Sequence, residues 1–325
     1  MIASNDIQGD VTWQHGSPHM PFRMADTISG LADEPGNPNA LIQSNGYNNK
    51  EVSLLKAGDK DSEGNAIMHS FWAPEIHEID GRLTILFMAG YGNTWSNGKS
   101  VYMQLKQDAD GHDLDPADPD NWTVPTPIYR NDASLLNGNK QLAATASGGV
   151  GMSLDMTYFQ DADGRSYYAW QQLGATYIAT MDPKDPAHVT SSPVRIVTPE
   201  YAWNAAIAEG PNVTLRDGKL YLMFSGSGVG KTYTTGLAVA DASGTDLTDP
   251  ASWTVLNYPI QKSGPFNGEM QLGTGHGMWS EDEDGNQIYV FHAYATKNLG
   301  SVNAAGRDMF VRRVHWPPTA CRCST

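Results

Sequence analysis

Two acids and a histidine stand at one fixed interval from a turn. Asp155, Glu209 and His276 each precede the aspartate of an Asp-Gly pair (Asp163, Asp217 and Asp284) by eight residues, and Trp72 holds the same place ahead of Asp80. Paired carboxyls with an imidazole at one point suit general acid–base work. One carboxyl donates a proton, and a neighbouring carboxylate keeps that proton in place by like-charge repulsion. Taken singly, each is an ordinary polar residue beside a turn. Three in one register, with an aromatic fourth, favour a site.

The elements that would position them are hairpins. Asp-Gly between two strand-like runs tolerates the positive φ of a tight turn. Four segments fit: Trp72 to Gly81 before Arg-Leu-Thr-Ile-Leu-Phe-Met, Asp155 to Gly164 before Arg-Ser-Tyr-Tyr-Ala-Trp, Glu209 to Gly218 before Lys-Leu-Tyr-Leu-Met-Phe, and His276 to Gly285 before Asn-Gln-Ile-Tyr-Val-Phe. Further strand-like runs follow at Ser100, Thr176 and Thr235, each leading to an Asp-Pro-rich loop, and two of those loops lead into Trp-Thr-Val at Trp122 and Trp253. Three to four strands per unit, repeated, predict an all-β propeller whose innermost strands line a central channel. Equal positions on those strands then converge on the axis, as a catalytic pocket requires.

Composition narrows the partners. The 325-residue chain carries a net charge of −15, so a nucleic-acid partner is excluded, and no apolar run approaches a membrane span. Cys321 and Cys323 form only a terminal C-x-C, which is read as idle, and Met1 to Asp6 lacks the form of a secretory signal. His15, His19, His69, His77 and His292 show no catalytic zinc spacing. Ser225 to Thr232 imitates a phosphate-binding loop but has Ser where the first Gly is needed and no helix predicted after it.

Five motifs carry a family resemblance: Phe71-Trp-Ala-Pro-Glu-Ile76, Ser153-Leu-Asp155, Ala208-Glu-Gly-Pro211, Gly273-Thr-Gly-His-Gly277 and Gly306-Arg-Asp-Met-Phe310. Together they resemble glycoside hydrolase family 43, the arabinofuranosidase and β-xylosidase propellers, from about residue 66 to 316. Thr198 to Trp203 looks most like the arabinofuranosidase branch. The resemblance implies a five-bladed propeller over 1–316, an atypical and disordered tail over 317–325, and inverting hydrolysis that releases a terminal pentose, chiefly α-L-arabinofuranose, from arabinan or arabinoxylan. It makes Glu209 the general acid and Asp155 the group that raises its pKa. Trp72, His276, Arg307 and Trp203 become sugar contacts, with Trp95 and Trp170 as weaker candidates. No cofactor is required; His276 is expected to reach a structural calcium on the axis through water, or the sugar itself. The partner is an oligosaccharide or polysaccharide, and the chain is expected to be a monomer.

One part of the family pattern is missing. The general base belongs in an Asp-Pro motif on the first blade, and Asp6 and Asp10 have no downstream turn in register. Met1 to Ser4 reads as the end of a hairpin, so the base and part of blade 1 are expected upstream of Met1, and the chain as written is expected to lack full activity. Rival readings are a β-xylosidase, a propeller that binds carbohydrate without cleaving it, and a structural propeller. The sugar, exo or endo action, and an extracellular or cytoplasmic location stay open.

Overall fold

The computed structural model describes residues 54–92, 97–136, 152–266, 269–282, 284–295 and 307–316. These residues form four sheets. The first runs β1 (Ile67–Ile79), β2 (Arg82–Tyr91), β3 (Gly98–Gln104) and β4 (Thr126–Pro127). The second holds β5 (Tyr129–Arg130), β6 (Leu154–Gln160), β7 (Ser166–Gln172), β8 (Ala175–Asp182), β9 (Asp185–Val189) and β10 (Val194–Val197). The third runs β11 (Ala208–Arg216), β12 (Lys219–Gly226), β13 (Thr234–Asp241) and β14 (Thr254–Val255). The fourth runs β15 (Gly264–Phe266), β16 (Glu269–Glu281), β17 (Gln287–Ala295) and β18 (Arg307–Arg313).

The fold is all-β and propeller-like. β1 lies against β6, β6 against β11 and β11 against β16, so each sheet presents one strand to the same interior. Each of the four Asp-Gly hairpins is the inner pair of one sheet, as the spacing predicts. The five-bladed expectation is corrected for the described part: it holds four blades, and residues 1–53, where strands of a further blade were expected, lie outside it. The tail 317–325 lies outside it as well.

Apolar faces hold successive blades together. Ile79 and Leu86 of the first sheet pack with Met156, Tyr168, Trp170 and Ala179 of the second. Phe159, Tyr167 and Ile178 of the second pack with Leu220, Leu222 and Phe224 of the third. Met223 of the third meets Tyr289, Phe291 and Phe310 of the fourth. Burying such side chains on both faces of a sheet contributes roughly 1.5–3 kcal/mol each, enough to fix which face of every strand turns inward.

The hairpins are of two kinds, and the difference shifts the register. Asp80-Gly81 and Asp217-Gly218 are two-residue turns with both residues at positive φ. The other two loops, 161–165 and 282–286, are five residues long. In them Asp161 and Asp282 accept backbone amides from two and four residues ahead. The same Asp-x-Asp/Glu-Gly form recurs at Asp61 and Asp108. Counting back from the turn aspartate therefore reaches different rungs. The ladders place Trp72 and Glu209 level with Leu154 and Gly275, one residue before Asp155 and His276.

What the four strands share is a bulge one residue further on. Two residues of each inner strand oppose one of its partner there, and the first of the two is left-handed: Ala73 (φ 50), Asp155 (57), Gly210 (59) and His276 (47). A bulge re-aims a side chain. The equal interval of eight is thus numerically true but joins two adjacent positions of one bulge.

Candidate active site

The bulges bring three of the expected residues together. The Gly210 amide donates to Asp155 Oδ2 at 3.0 Å, and His276 Nε2 lies 3.9 Å from Asp155 Oδ1. Because Gly210 follows Glu209 directly, the second acid is tied to the first through one backbone group. Glycine suits this left-handed position, where a Cβ would come within 3.4 Å of the His276 ring. Glu209 Oε1 accepts from the Tyr233 hydroxyl at 2.5 Å. Arg307 enters from β18, donating to His292 Nε2 at 2.8 Å, and its charge acts on both Glu209 and His276.

Burial sets the protonation states. Asp155 and Glu209 are 3% and 7% exposed. Loss of water pushes Glu209 up to about 7, and the charge of Asp155 adds to the rise, while Tyr233, His276 and Arg307 oppose it. Burial also raises Asp155 to about 7, opposed by the Gly210 amide and assisted by Glu75. A backbone amide can only donate, so it favours the ionised form of Asp155. Burial first, and Arg307 second among the causes that lower it, hold His276 below the usual histidine range, as a neutral imidazole at neutral pH.

Sequence reasoning quoted Glu75 within a motif but gave it no role. The structure places it inside the channel. It is buried, accepts from Asn212 Nδ2 at 3.2 Å and lies 2.8 Å from His77 Nε2. Asn212 Oδ1 in turn accepts the Trp279 amide, so three inner strands meet across the channel. Simple alternation from Trp72 points to Pro74 and Ile76; the bulge between Trp72 and Glu75 shifts the register and brings Glu75 into place instead. Tyr233, Ser225 and His292 carried no sequence signal, since they stand on, or just ahead of, second and third strands of their blades.

The other expected residues part company. Trp72 stands one residue before the bulge of β1 and is 39% exposed. Trp203 is partly buried. It packs against Phe224, its ring edge lies where a Cβ of Gly236 would be, and its indole N–H bonds the Asn257 carbonyl, which places it in the third blade's packing. Trp170 is fully buried and bonds Gln172, so it reaches no sugar. Trp95, Asp6 and Asp10 lie outside the described residues.

Calcium takes six to eight oxygen ligands. His276 offers a nitrogen, and one oxygen of its neighbour Asp155 is engaged by the Gly210 amide. These residues do not fit a directly held calcium. Among the described residues one acidic trio, Asp108, Asp110 and His112, draws its ligand atoms together, on an exposed loop away from the channel.

Comparison with known proteins follows the same line. The chain is 28% identical over 308 residues to an extracellular exo-alpha-(1->5)-L-arabinofuranosidase of Streptomyces avermitilis, covering 91% of this chain and 54% of that protein. It is 29% identical over 259 residues to alpha-L-arabinofuranosidase 43 of Humicola insolens, covering 75% and 47%. The chain thus spans about half the length of these relatives. The crystal structure of an alpha-L-arabinofuranosidase from Lactobacillus brevis shares its fold, with a TM-score of 0.61, 24% identity and 78% of each chain covered. The model of glycosyl hydrolases family 43 matches residues 45–319, and the chain belongs to that family.

Proposed function

We propose that the chain is an inverting exo-α-L-arabinofuranosidase, with Glu209 as general acid and Asp155 as the carboxylate that keeps it protonated. One observation carries this reading: a buried glutamate raised to about 7 stands beside an aspartate anchored by the next residue's amide. At neutral pH such a glutamate is half protonated and can give its proton to a leaving glycosidic oxygen. Neutral His276, Arg307 and Trp72 would face the sugar. The water-activating carboxylate of an inverting pair stands roughly 6.5–9.5 Å from the acid. It is assigned to the blade ahead of β1, outside the described residues, which would make the propeller five-bladed. The Streptomyces relative is named for α-1,5-linked arabinofuranose and as extracellular; terminal arabinofuranose of arabinan or arabinoxylan is the substrate proposed, outside the cell, by a monomer.

The test is release of 4-nitrophenol from its α-L-arabinofuranoside, with the β-D-xyloside alongside and the anomer of the first product followed by NMR. Release of β-arabinofuranose that Glu209→Gln abolishes is expected. Unchanged release in Glu209→Gln overturns the acid assignment. Sugar binding without release supports the carbohydrate-binding alternative instead.

A further inference from the structure

His292 has no part in the chemistry proposed above, yet it stands in the wall of the site. It pairs with Gly275 across the β16–β17 ladder, and its ring centre lies 6.4 Å from that of His276. Tyr233, whose hydroxyl touches Glu209 Oε1, stacks on it at 5.7 Å and 7°. The stack depends on a bare Gly275, since a Cβ there would come within 2.4 Å of the tyrosine ring. The next strand supplies a partner. In the β17–β18 ladder Arg307 lies opposite Tyr294, and Met309 opposite His292. His292 and Tyr294 share a face of β17, so Arg307 is a diagonal neighbour of His292, within reach of a long side chain. Its Nη1 lies 2.8 Å from His292 Nε2.

The chemistry of the two ends settles the direction of this bond. A guanidinium has only N–H donors and nothing to accept with, so His292 Nε2 is the acceptor. A neutral imidazole with its lone pair on Nε2 carries its proton on Nδ1. A doubly protonated ring would set donor against donor, and charge against charge, at 2.8 Å. Burial first, and the Arg307 charge second, accordingly hold His292 well below the usual histidine range. Its Nδ1 is buried with no hydrogen-bond partner among the described residues. A buried donor without an acceptor lowers stability, so packing alone gives no reason for a nitrogen there. What the imidazole adds over a phenyl ring is the lone pair on Nε2.

We infer that His292 is the positioning residue of Arg307: its Nε2 lone pair fixes the guanidinium at the wall of the site, in the orientation from which it meets the hydroxyls of a terminal pentose. The tyrosine stack holds the imidazole, and the imidazole holds the arginine.

The inference rests on Arg307 as a sugar contact of the proposed glycosidase, but its first test needs no sugar. Long-range proton–nitrogen NMR of the histidine rings at pH 7, with His292 assigned by its loss in His292→Gln, should show a proton on Nδ1 and none on Nε2. The Nε2 signal should shift in Arg307→Met. A wild-type proton on Nε2, or an Nε2 signal indifferent to Arg307→Met, overturns the proposal. A chain that cleaves no glycoside sinks the proposed function instead and leaves these spectra to judge the pair. The second test is the KM for 4-nitrophenyl α-L-arabinofuranoside. His292→Phe keeps a ring to stack but no acceptor. It should raise KM about tenfold, the size of one lost hydrogen bond, with kcat changed less. His292→Gln, whose side-chain oxygen can stand where Nε2 stood, should recover most of that loss. A His292→Phe protein with the wild-type KM, or a His292→Gln protein no better than His292→Phe, makes His292 a packing residue and overturns the proposal.

Discussion

The Gly210 amide donates to Asp155 Oδ2 across 3.0 Å, from the residue that follows Glu209. This one bond joins two neighbouring blades and favours the ionised form of Asp155. In Asp155→Asn the side-chain carbonyl can still accept it, so the fold is retained while the charge is lost. With that charge gone, the Glu209 pKa falls. The alkaline limb of kcat/KM should move to lower pH, by about one unit, with about tenfold less activity above it. A pH–rate profile checks this; a limb that stays in place removes Asp155 from its role.

Stability should carry the opposite signature of function. The folded pKa of Glu209 is about 7 against 4.5 for the free side chain. The folded state therefore holds a proton that the unfolded chain releases between those values. Its contribution is complete below the unfolded pKa and is lost as pH rises through about 7, amounting to about 3 kcal/mol at most. Tm should fall from about pH 5 to about pH 8. Glu209→Gln, which cannot ionise, should flatten that fall and raise Tm at pH 8. Thermal melts of both proteins across pH decide the point, and a Glu209→Gln protein that melts lower at pH 8 contradicts it.

The five-residue hairpin loops depend on their first aspartate to a degree set by burial. Asp161 Oδ1 accepts two amides, and Oδ2 accepts Arg165 Nε at 2.7 Å and the Tyr167 hydroxyl at 3.1 Å. Its side chain is 0% exposed, against 42% for Asp108 in a loop of the same form. Asp161→Ala leaves buried donors without acceptors and should destabilise the fold by about 3 kcal/mol. Asp108→Ala, whose donors turn to water, should lower stability by a small fraction of that. Urea unfolding of the two variants checks the ratio; equal losses would mean the loop form, not its burial, governs.

The turns, and with them the blades, were legible because Asp-Gly is a local signal with a steric cause. The convergence of Asp155, Glu209 and His276 was legible for a reason only partly right. The interval of eight absorbed a longer loop in two hairpins and landed on either the bulge residue or the one before it. Bulges draw no mark in a sequence except where glycine stands at the left-handed position, as at Gly210. Asp155 and His276 occupy that position without being glycine, so nothing local announced it. Asn212 lies on β11 itself, past the bulge from Glu209, and Tyr233 just ahead of β13 in the same blade, so only the folded register shows them. Trp203 shows the limit of such a reading, because an aromatic beside a motif is as useful to a core as to a sugar.

That ambiguity gives the last test. Trp72 and Trp203 are both tryptophans expected to face substrate, yet their surroundings differ. Trp72 is 39% exposed, one residue before the bulge of β1. Trp72→Ala should raise KM several-fold and lower Tm less than the matching change at Trp203. Trp203 is stacked on Tyr201 at 6.0 Å and packs on Phe224 at 5.9 Å, and its N–H anchors the Asn257 carbonyl. Trp203→Ala opens a cavity in the third blade and should cost about 3 kcal/mol of stability, with KM little changed below its melting range. Measuring KM and Tm on both variants separates the roles. A Trp203→Ala protein of native stability and raised KM would return Trp203 to the sugar-binding surface.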